Sequence, residues 1–153
     1  MVDIRRAQID AADALGAVMW DAVHNGRSAY SEAQRRAWVP HVPAGADWAA
    51  RLGDQRIWVA EQDSAMVGFV TLAAGGYVDF AYVLARVQGR GVFRALLDRV
   101  EAEARAGGAA RLWTHASLMA QPAFAALGFH VIRHEEVARQ GETLRRAEME
   151  KPL

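Results

Sequence analysis

The chain has 153 residues, 52% hydrophobic and 24% charged, enough for one ordinary core and not for two. Its 18 Lys and Arg cancel its 18 Asp and Glu, so the sequence predicts no nucleic-acid or acidic-membrane surface, and any anion site must be local. With no cysteine, disulfides, thiolate zinc centres and a cysteine nucleophile are excluded.

The opening "MVDIRRAQID" lacks an apolar stretch after its early basic residues, and no apolar run approaches the roughly 18 residues that span a bilayer. A cytoplasmic protein is predicted. "VDIRRAQ" alternates as a first strand does. From Asp10 the period becomes helical, with Ala14, Leu15, Val18, Met19 and Ala22 on one stripe. "NGRSAY" breaks it. Ser31 and Gln34 then form a capping box for a short helix ending near Trp38. A loop with Pro40, Pro43 and Gly45 leads to the helical "DWAARLGD", closed by Gly53.

"RIWVAEQ" and "MVGFVTLAA", separated by "DSA", read as a hairpin, and "GGYVDFAYVLA" as a third strand. After "VQGRG" comes a helix to about Ala106. Phe93, Leu97, Val100 and Ala104 share one face, and Arg94–Asp98 and Glu101–Arg105 are spaced to pair on the other. Gly107 and Gly108 stop it. "ARLWTHAS" is a strand, "AQPAFAAL" a short helix ended by Gly128, and the tail a hairpin turning at "RQGE". The order is strand, helices, three strands, helix, strand, helix, two strands. This is a mixed α/β domain over 1–153, with no linker or repeat and one βαβ unit through the glycines.

That glycine turn is the chemically informative stretch. A helix N-terminus carries unpartnered N–H groups and a partial positive charge, and a glycine-rich approach lets a phosphate reach them. Gln88, Gly89, Arg90 and Gly91 stand between a strand and a helix, with Arg90 and Arg94 adding charge. The turn is neither a Walker loop nor a dinucleotide fingerprint. A phosphate-free turn of the same composition is the ordinary alternative.

The order of these pieces resembles the GNAT superfamily of acyl-CoA-dependent N-acetyltransferases, over almost the whole chain and most specifically from Val78 to Phe129. The family's phosphate loop, Q/R-x-x-G-x-G/A, is matched at Gln88 and Gly91. "SLMAQPAFAALGF" is similar to its N-x-x-A-x-x-x-Y-x-x-x-G-F segment, with Ala120, Gly128 and Phe129 in register. "AYSEAQRRAW" and the Trp-bearing helix after it resemble a small bacterial subgroup. The resemblance implies a central, twisted, mostly antiparallel sheet with one splayed parallel strand pair, flanked by about four helices. It also implies acetyl-CoA as cosubstrate and a small-molecule amine acceptor, attacked directly in a ternary complex.

Carried over residue by residue, the backbone of Ala81, Tyr82 and Val83 would meet pantetheine and polarise the carbonyl. The loop Gln88, Gly89, Arg90, Gly91, Val92, Phe93 and Arg94 would hold pyrophosphate. Ser117 stands where the family has asparagine and could still bond the pantetheine arm. Three departures stand out. Phe93 occupies a Gly/Ala position, although helical φ tolerates a Cβ and its N–H survives. Ala85 replaces a frequent proline. Phe124 replaces the tyrosine that in many members protonates the leaving thiolate, and a phenyl ring has no proton to give.

Two general-base candidates lie on the splayed strands, His115 and Asp79. A histidine needs little tuning, while a buried aspartate would be raised towards usefulness. The plain alternatives are a strand-end histidine and a hydrogen-bonded structural aspartate. Tyr82 is a further possible donor to the thiolate. His24, Tyr30, Trp20, Trp38 and Trp48 fall in the helical section that in the family lines the acceptor side. They could form an aromatic cleft for an amine or serve as core. His41, His130 and His134 lack ligand spacing, so no metal is predicted. A homodimer through the C-terminal strand is compatible with the fold. Beside the transferase stands a second reading, an acyl-CoA-binding module with little or no catalysis. A third is an α/β domain with no nucleotide.

Overall fold

The computed structural model describes residues 2–153. The elements run β1 (Asp3–Ala7), α1 (Ala12–Asn25), α2 (Glu32–Trp38), α3 (Gly45–Gly53), β2 (Arg56–Gln62), β3 (Ala65–Ala73) and β4 (Tyr77–Val83). They continue with α4 (Val92–Ala106), β5 (Arg111–Ser117), α5 (Ala120–Ala126), β6 (His130–Arg139) and β7 (Glu142–Pro152). The strands form a seven-stranded sheet ordered β1-β2-β3-β4-β5-β7-β6. Every neighbouring pair is antiparallel except β4–β5. The mixed α/β architecture with one parallel pair is as the sequence implied. The α-helices number five rather than about four.

The central strands are buried on both faces, which is why "RIWVAEQ" reads as a continuous apolar run. Ile57 and Val59 pack with Leu15, Val18 and Met19 of α1 and Trp48 and Leu52 of α3. Trp58 and Ala60 point the other way, to Leu96, Leu97 and Val100 of α4 and Phe124 of α5. A fully buried side chain of this size contributes about 1.5–3 kcal/mol over leaving it in water, so these two clusters hold the sheet between its helices.

Some positions differ from the sequence reading. In α1 Ala14 is exposed and Ala22 half-buried, because Val23 takes the inner place. In α4 Leu96 joins Leu97, Val100 and Ala104 in the core, while Phe93 stays half-buried. Glu101 and Arg105 pair at 3.5 Å, as do Arg99 and Glu103 at 3.4 Å. The Arg94–Asp98 pair does not form; Arg94 turns to line a cleft at the helix start.

The β4–β5 pair splays because β4 carries a bulge. Val70 faces Ala81 and Leu72 faces Val78, so Thr71 alone opposes Asp79 and Phe80. β4 pairs with β5 only at Tyr77↔Trp113 and Val78↔Thr114. Two buried threonines satisfy the backbone groups that the irregularity leaves over. Thr71 Oγ1 accepts the Phe80 N–H at 3.1 Å, and Thr114 Oγ1 donates to the Val78 carbonyl at 2.8 Å. Beyond Phe80 the edge of β4 facing β5 is free of strand pairing.

Candidate active site

At the wide end of the splay a cleft of about 410 Å³ opens between β4, α4 and α5. Ala81, Tyr82, Val83, Gln88, Gly89, Gly91, Phe93, Arg94 and Ser117 all line it, with Arg27 of the α1–α2 connection opposite. Gly89 and Gly91 have φ of 77° and 86°, and a Cβ on either would touch nothing. Left-handed backbone, not crowding, is what requires glycine there. Gly91 is the N-cap of α4, so the unpaired N–H groups of the first turn face this turn.

The loop is anchored from α1. Asp21 Oδ2 accepts the Ala85 N–H at 2.8 Å, and Gln88 Nε2 donates back to the Val83 carbonyl at 3.1 Å. Arg90 is exposed and Val92 buried in the core; neither side chain lines the cleft. Phe124 does not reach it either, being buried against Phe93 and Phe129. Ser117 Oγ accepts the Ala120 N–H at 3.2 Å at the start of α5.

A second cavity, about 540 Å³, occupies the narrow end of the splay. Its walls are Tyr77, Asp79 and Phe80 from β4, His115 from β5, Tyr30 and Trp38 from the α2 region, and the tip of the β6–β7 hairpin. Trp38, Tyr82 and Ser117 line both cavities, which therefore meet there.

The capping box helps to hold the hairpin tip. Gln34 N–H donates to Ser31 Oγ at 3.1 Å and Ser31 N–H to Gln34 Oε1 at 2.8 Å, while Gln34 Nε2 reaches the Thr143 carbonyl at 2.9 Å. Tyr30 Oη donates to the Arg145 carbonyl at 2.5 Å and accepts the Leu118 N–H at 3.1 Å.

Of the aromatic candidates, Tyr30 and Trp38 belong to the cavity and the others do not. Trp48 is buried, its Nε1–H donating to the Ala12 carbonyl at 2.7 Å. Trp20 stacks on His24 at 3.8 Å, and His24 Nε2 lies 2.7 Å from the Val39 carbonyl. These three residues hold the helical section together.

Asp79 is fully occupied with its neighbours. Arg51 donates through Nε at 3.2 Å and Nη2 at 2.9 Å, and Gln55 through Nε2 at 2.7 Å. Its side chain is 8% exposed. A carboxylate so engaged ties α3 to β4 and offers little room for a proton from substrate.

His115 is placed differently. Its Nδ1 lies 3.0 Å from Tyr77 Oη, and its Nε2 lies 3.5 Å from Glu135 Oε1 and 3.9 Å from Glu148 Oε1. Burial, then the positive charge of Arg146, holds the imidazole below its ordinary pKa, against the opposing pull of Glu135 and Glu148. Burial, then Asp79, raises the Tyr77 phenol. Burial raises Tyr82 further, so its hydroxyl stays protonated. A neutral imidazole beside two carboxylates puts its N–H at Nε2, leaving Nδ1 to accept from Tyr77. Tyr77, Arg51, Gln55 and Arg146 were not singled out in the sequence. Their roles come from strand register and a helix contact between residues far apart in the chain.

The described residues contain no helix long and apolar enough to cross a membrane. A family model, the acetyltransferase (GNAT) domain, matches residues 27–153. Among solved structures, the GCN5-related N-acetyltransferase (aminotransferase, class-II) of Rhodopseudomonas palustris is 30% identical, with a TM-score of 0.89 over 99% of this chain and 95% of that one. PaiA N-acetyltransferase of Thermoplasma acidophilum, in complex with coenzyme A, is 18% identical, with a TM-score of 0.73 over 100% and 99%. A phosphinothricin acetyltransferase of Sinorhizobium meliloti, in complex with acetyl-CoA, is 22% identical, with a TM-score of 0.75 over 99% and 88%. A search of curated proteins gives no match. With a family model spanning most of its length and a 30% identical relative folded alike from end to end, the chain belongs to the GNAT superfamily of acetyltransferases.

Proposed function

We propose that residues 1–153 act as one domain that transfers the acetyl group of acetyl-CoA to the amine of a small molecule, by direct attack in a ternary complex. The observation that carries this is the meeting of two cavities at the unpaired edge of β4, through Trp38, Tyr82 and Ser117. One cavity fits the cosubstrate: a left-handed glycine turn at a helix N-terminus, Arg27 and Arg94 for phosphate, and a narrow apolar cleft for the pantetheine arm. Acetyl-CoA supplies an activated thioester, and structures of more distant members hold coenzyme A or acetyl-CoA.

The chain's own groups then handle protons and position. The free backbone edge of β4 aligns the acyl carbonyl and favours charge developing on its oxygen. Tyr77 Oη takes the proton of the attacking amine, directly or through one water, as it passes its own to His115 Nδ1. Glu135 and Glu148 stabilise the imidazolium that results. Tyr82, on the boundary of both cavities, keeps its proton and donates a hydrogen bond to the departing thiolate, which takes its own proton from water in place of the acid that Phe124 lacks. A new N–C bond forms and the C–S bond breaks, giving an amide and a free thiol.

The test is thiol release across a panel of amines, with Gly91→Trp, which fills the cofactor turn, as control. Binding of acetyl-CoA with no acceptor-dependent thiol would replace the transferase reading with that of an acyl-CoA-binding module.

A further inference from the structure

The acceptor cavity is lined by three arginines, Arg51, Arg139 and Arg146, and one carboxylate, Asp79. Arg51 is matched by Asp79. Arg146 gives its Nε to Glu135, at 2.9 Å, and its terminal nitrogens have no hydrogen-bond partner among the described residues. Arg139 makes no ion pair among the described residues and sits at the hairpin tip, beside Gln140.

Strand register fixes where the Arg146 charge acts. Arg146 lies opposite Ser117 on β5 and opposite Glu135 on β6, while His115 pairs with Glu148 two residues along the same face. The guanidinium therefore lies diagonally across from His115, and its charge is felt at Tyr30, Tyr77 and His115 on different sides of the cavity. Much of the remaining wall is aromatic, with Tyr30, Trp38, Tyr77, Phe80 and Tyr82, and the rest is mostly small or aliphatic. A simple cationic amine gains little here, since the guanidiniums outnumber the carboxylates. An amine that also carries an anion gains a charge-assisted fork.

We propose that the acceptor is a small α-amino-acid-like molecule, its carboxylate seated on the free nitrogens of Arg146 with Arg139 at the rim, and its amine directed to Tyr77. This rests on the transferase reading above and names its substrate class. Orientation follows from the two anchor points: with the carboxylate on β7, the nitrogen of a short molecule falls between that anchor and the Tyr77–His115 pair.

The experiment compares matched pairs, each an α-amino acid and the amine left by its decarboxylation, over aromatic and aliphatic side chains, in thiol release at saturating acetyl-CoA. The carboxylate-bearing members should show kcat/KM about 10- to 100-fold higher, mostly through KM, as removal of one charge-assisted anchor implies. In Arg146→Gln that ratio should fall towards 1, and in Arg139→Gln it should fall by less. Arg139 is exposed, so its variant keeps the test open should Arg146→Gln misfold. Equal rates for both members of every pair overturn this inference and leave the transferase standing. Acetyl-CoA binding with no thiol release from any member overturns the transferase reading, and this inference with it.

Discussion

The ring of Phe93 stands edge-on to that of Phe124, centroids 5.0 Å apart and planes at 83°. The two positions where the chain departs most from its family's motifs thus touch each other. The bulkier residue at the loop fills the space in front of a ring that has no hydroxyl to present, and Phe129 closes the cluster from behind at 4.9 Å. Restoring a tyrosine at 124 alone should therefore fail to restore an acid. Phe124 is 2% exposed, so a buried hydroxyl without a partner costs about 1–3 kcal/mol. Phe124→Tyr should lower Tm by about 2–12 °C with no gain in kcat. A kcat increase in that single variant would show that the ring does reach the sulfur.

Tyr77 and His115 should act as a unit. Tyr77→Phe and His115→Gln should each lower kcat by about 10²–10⁴-fold, and the double variant by little more than either. Because the folded-state imidazole sits below its ordinary pKa, the rising limb of kcat/KM against pH should lie below about 6.5. His115→Gln should remove that limb; its persistence would dismiss His115 as the proton acceptor.

The same shift carries a stability signature. Between the lowered folded pKa of His115 and about 6.5, the unfolded chain holds more protons than the folded one. Stability contributed at this site therefore rises with pH through that window and levels off above it. Urea midpoints of the wild type and His115→Gln, taken across the window, should differ in slope and run parallel above it. Parallel curves throughout would contradict the shift.

Asp79 is expected to hold structure rather than move protons. Arg51→Gln would leave a mostly buried carboxylate with only Gln55, at a cost of about 1–3 kcal/mol. Asp79→Asn should keep the pH profile of kcat/KM while lowering stability. Loss of the profile's rising limb in Asp79→Asn would return the aspartate to the chemistry.

Thr114→Val removes the hydroxyl that satisfies the Val78 carbonyl in a buried site. The loss is expected to be about 1–3 kcal/mol in urea denaturation, with a higher KM for acetyl-CoA because the strand edge is no longer held open. Wild-type KM in a folded variant would uncouple this hydroxyl from the splay.

The element order and the glycine turn were legible in the sequence because both depend on local signals: period, capping boxes, positive-φ glycines. Ser31 and Gln34 show this well, since a four-residue pattern foretold two reciprocal hydrogen bonds. The Tyr77–His115 contact was not legible. It depends on Tyr77 pairing with Trp113 across a parallel strand pair, and no short window of sequence records register. Asp79 was singled out for its type, but its partners, Arg51 near the end of α3 and Gln55 in the turn after it, lie 28 and 24 residues away in the chain. Trp48 and Trp38 look alike in sequence. One is locked into the core by a bond to Ala12, and the other faces a cavity, because α2 and α3 present different sides to the sheet.

The hairpin tip over the proposed acceptor cavity is where such a protein can most easily diversify. Val137, Ala138, Arg139 and Gln140 contribute walls to the cavity yet are half or fully exposed, and β6 is an edge strand. Substitutions there disturb little packing, so they are cheap in stability. The bulge and the glycine turn tolerate no such freedom, being fixed by buried hydroxyls and left-handed backbone. On the proposed reading, a lineage can therefore exchange its acceptor by redrafting a few surface residues, while the residues assigned to the acyl donor are inherited unchanged.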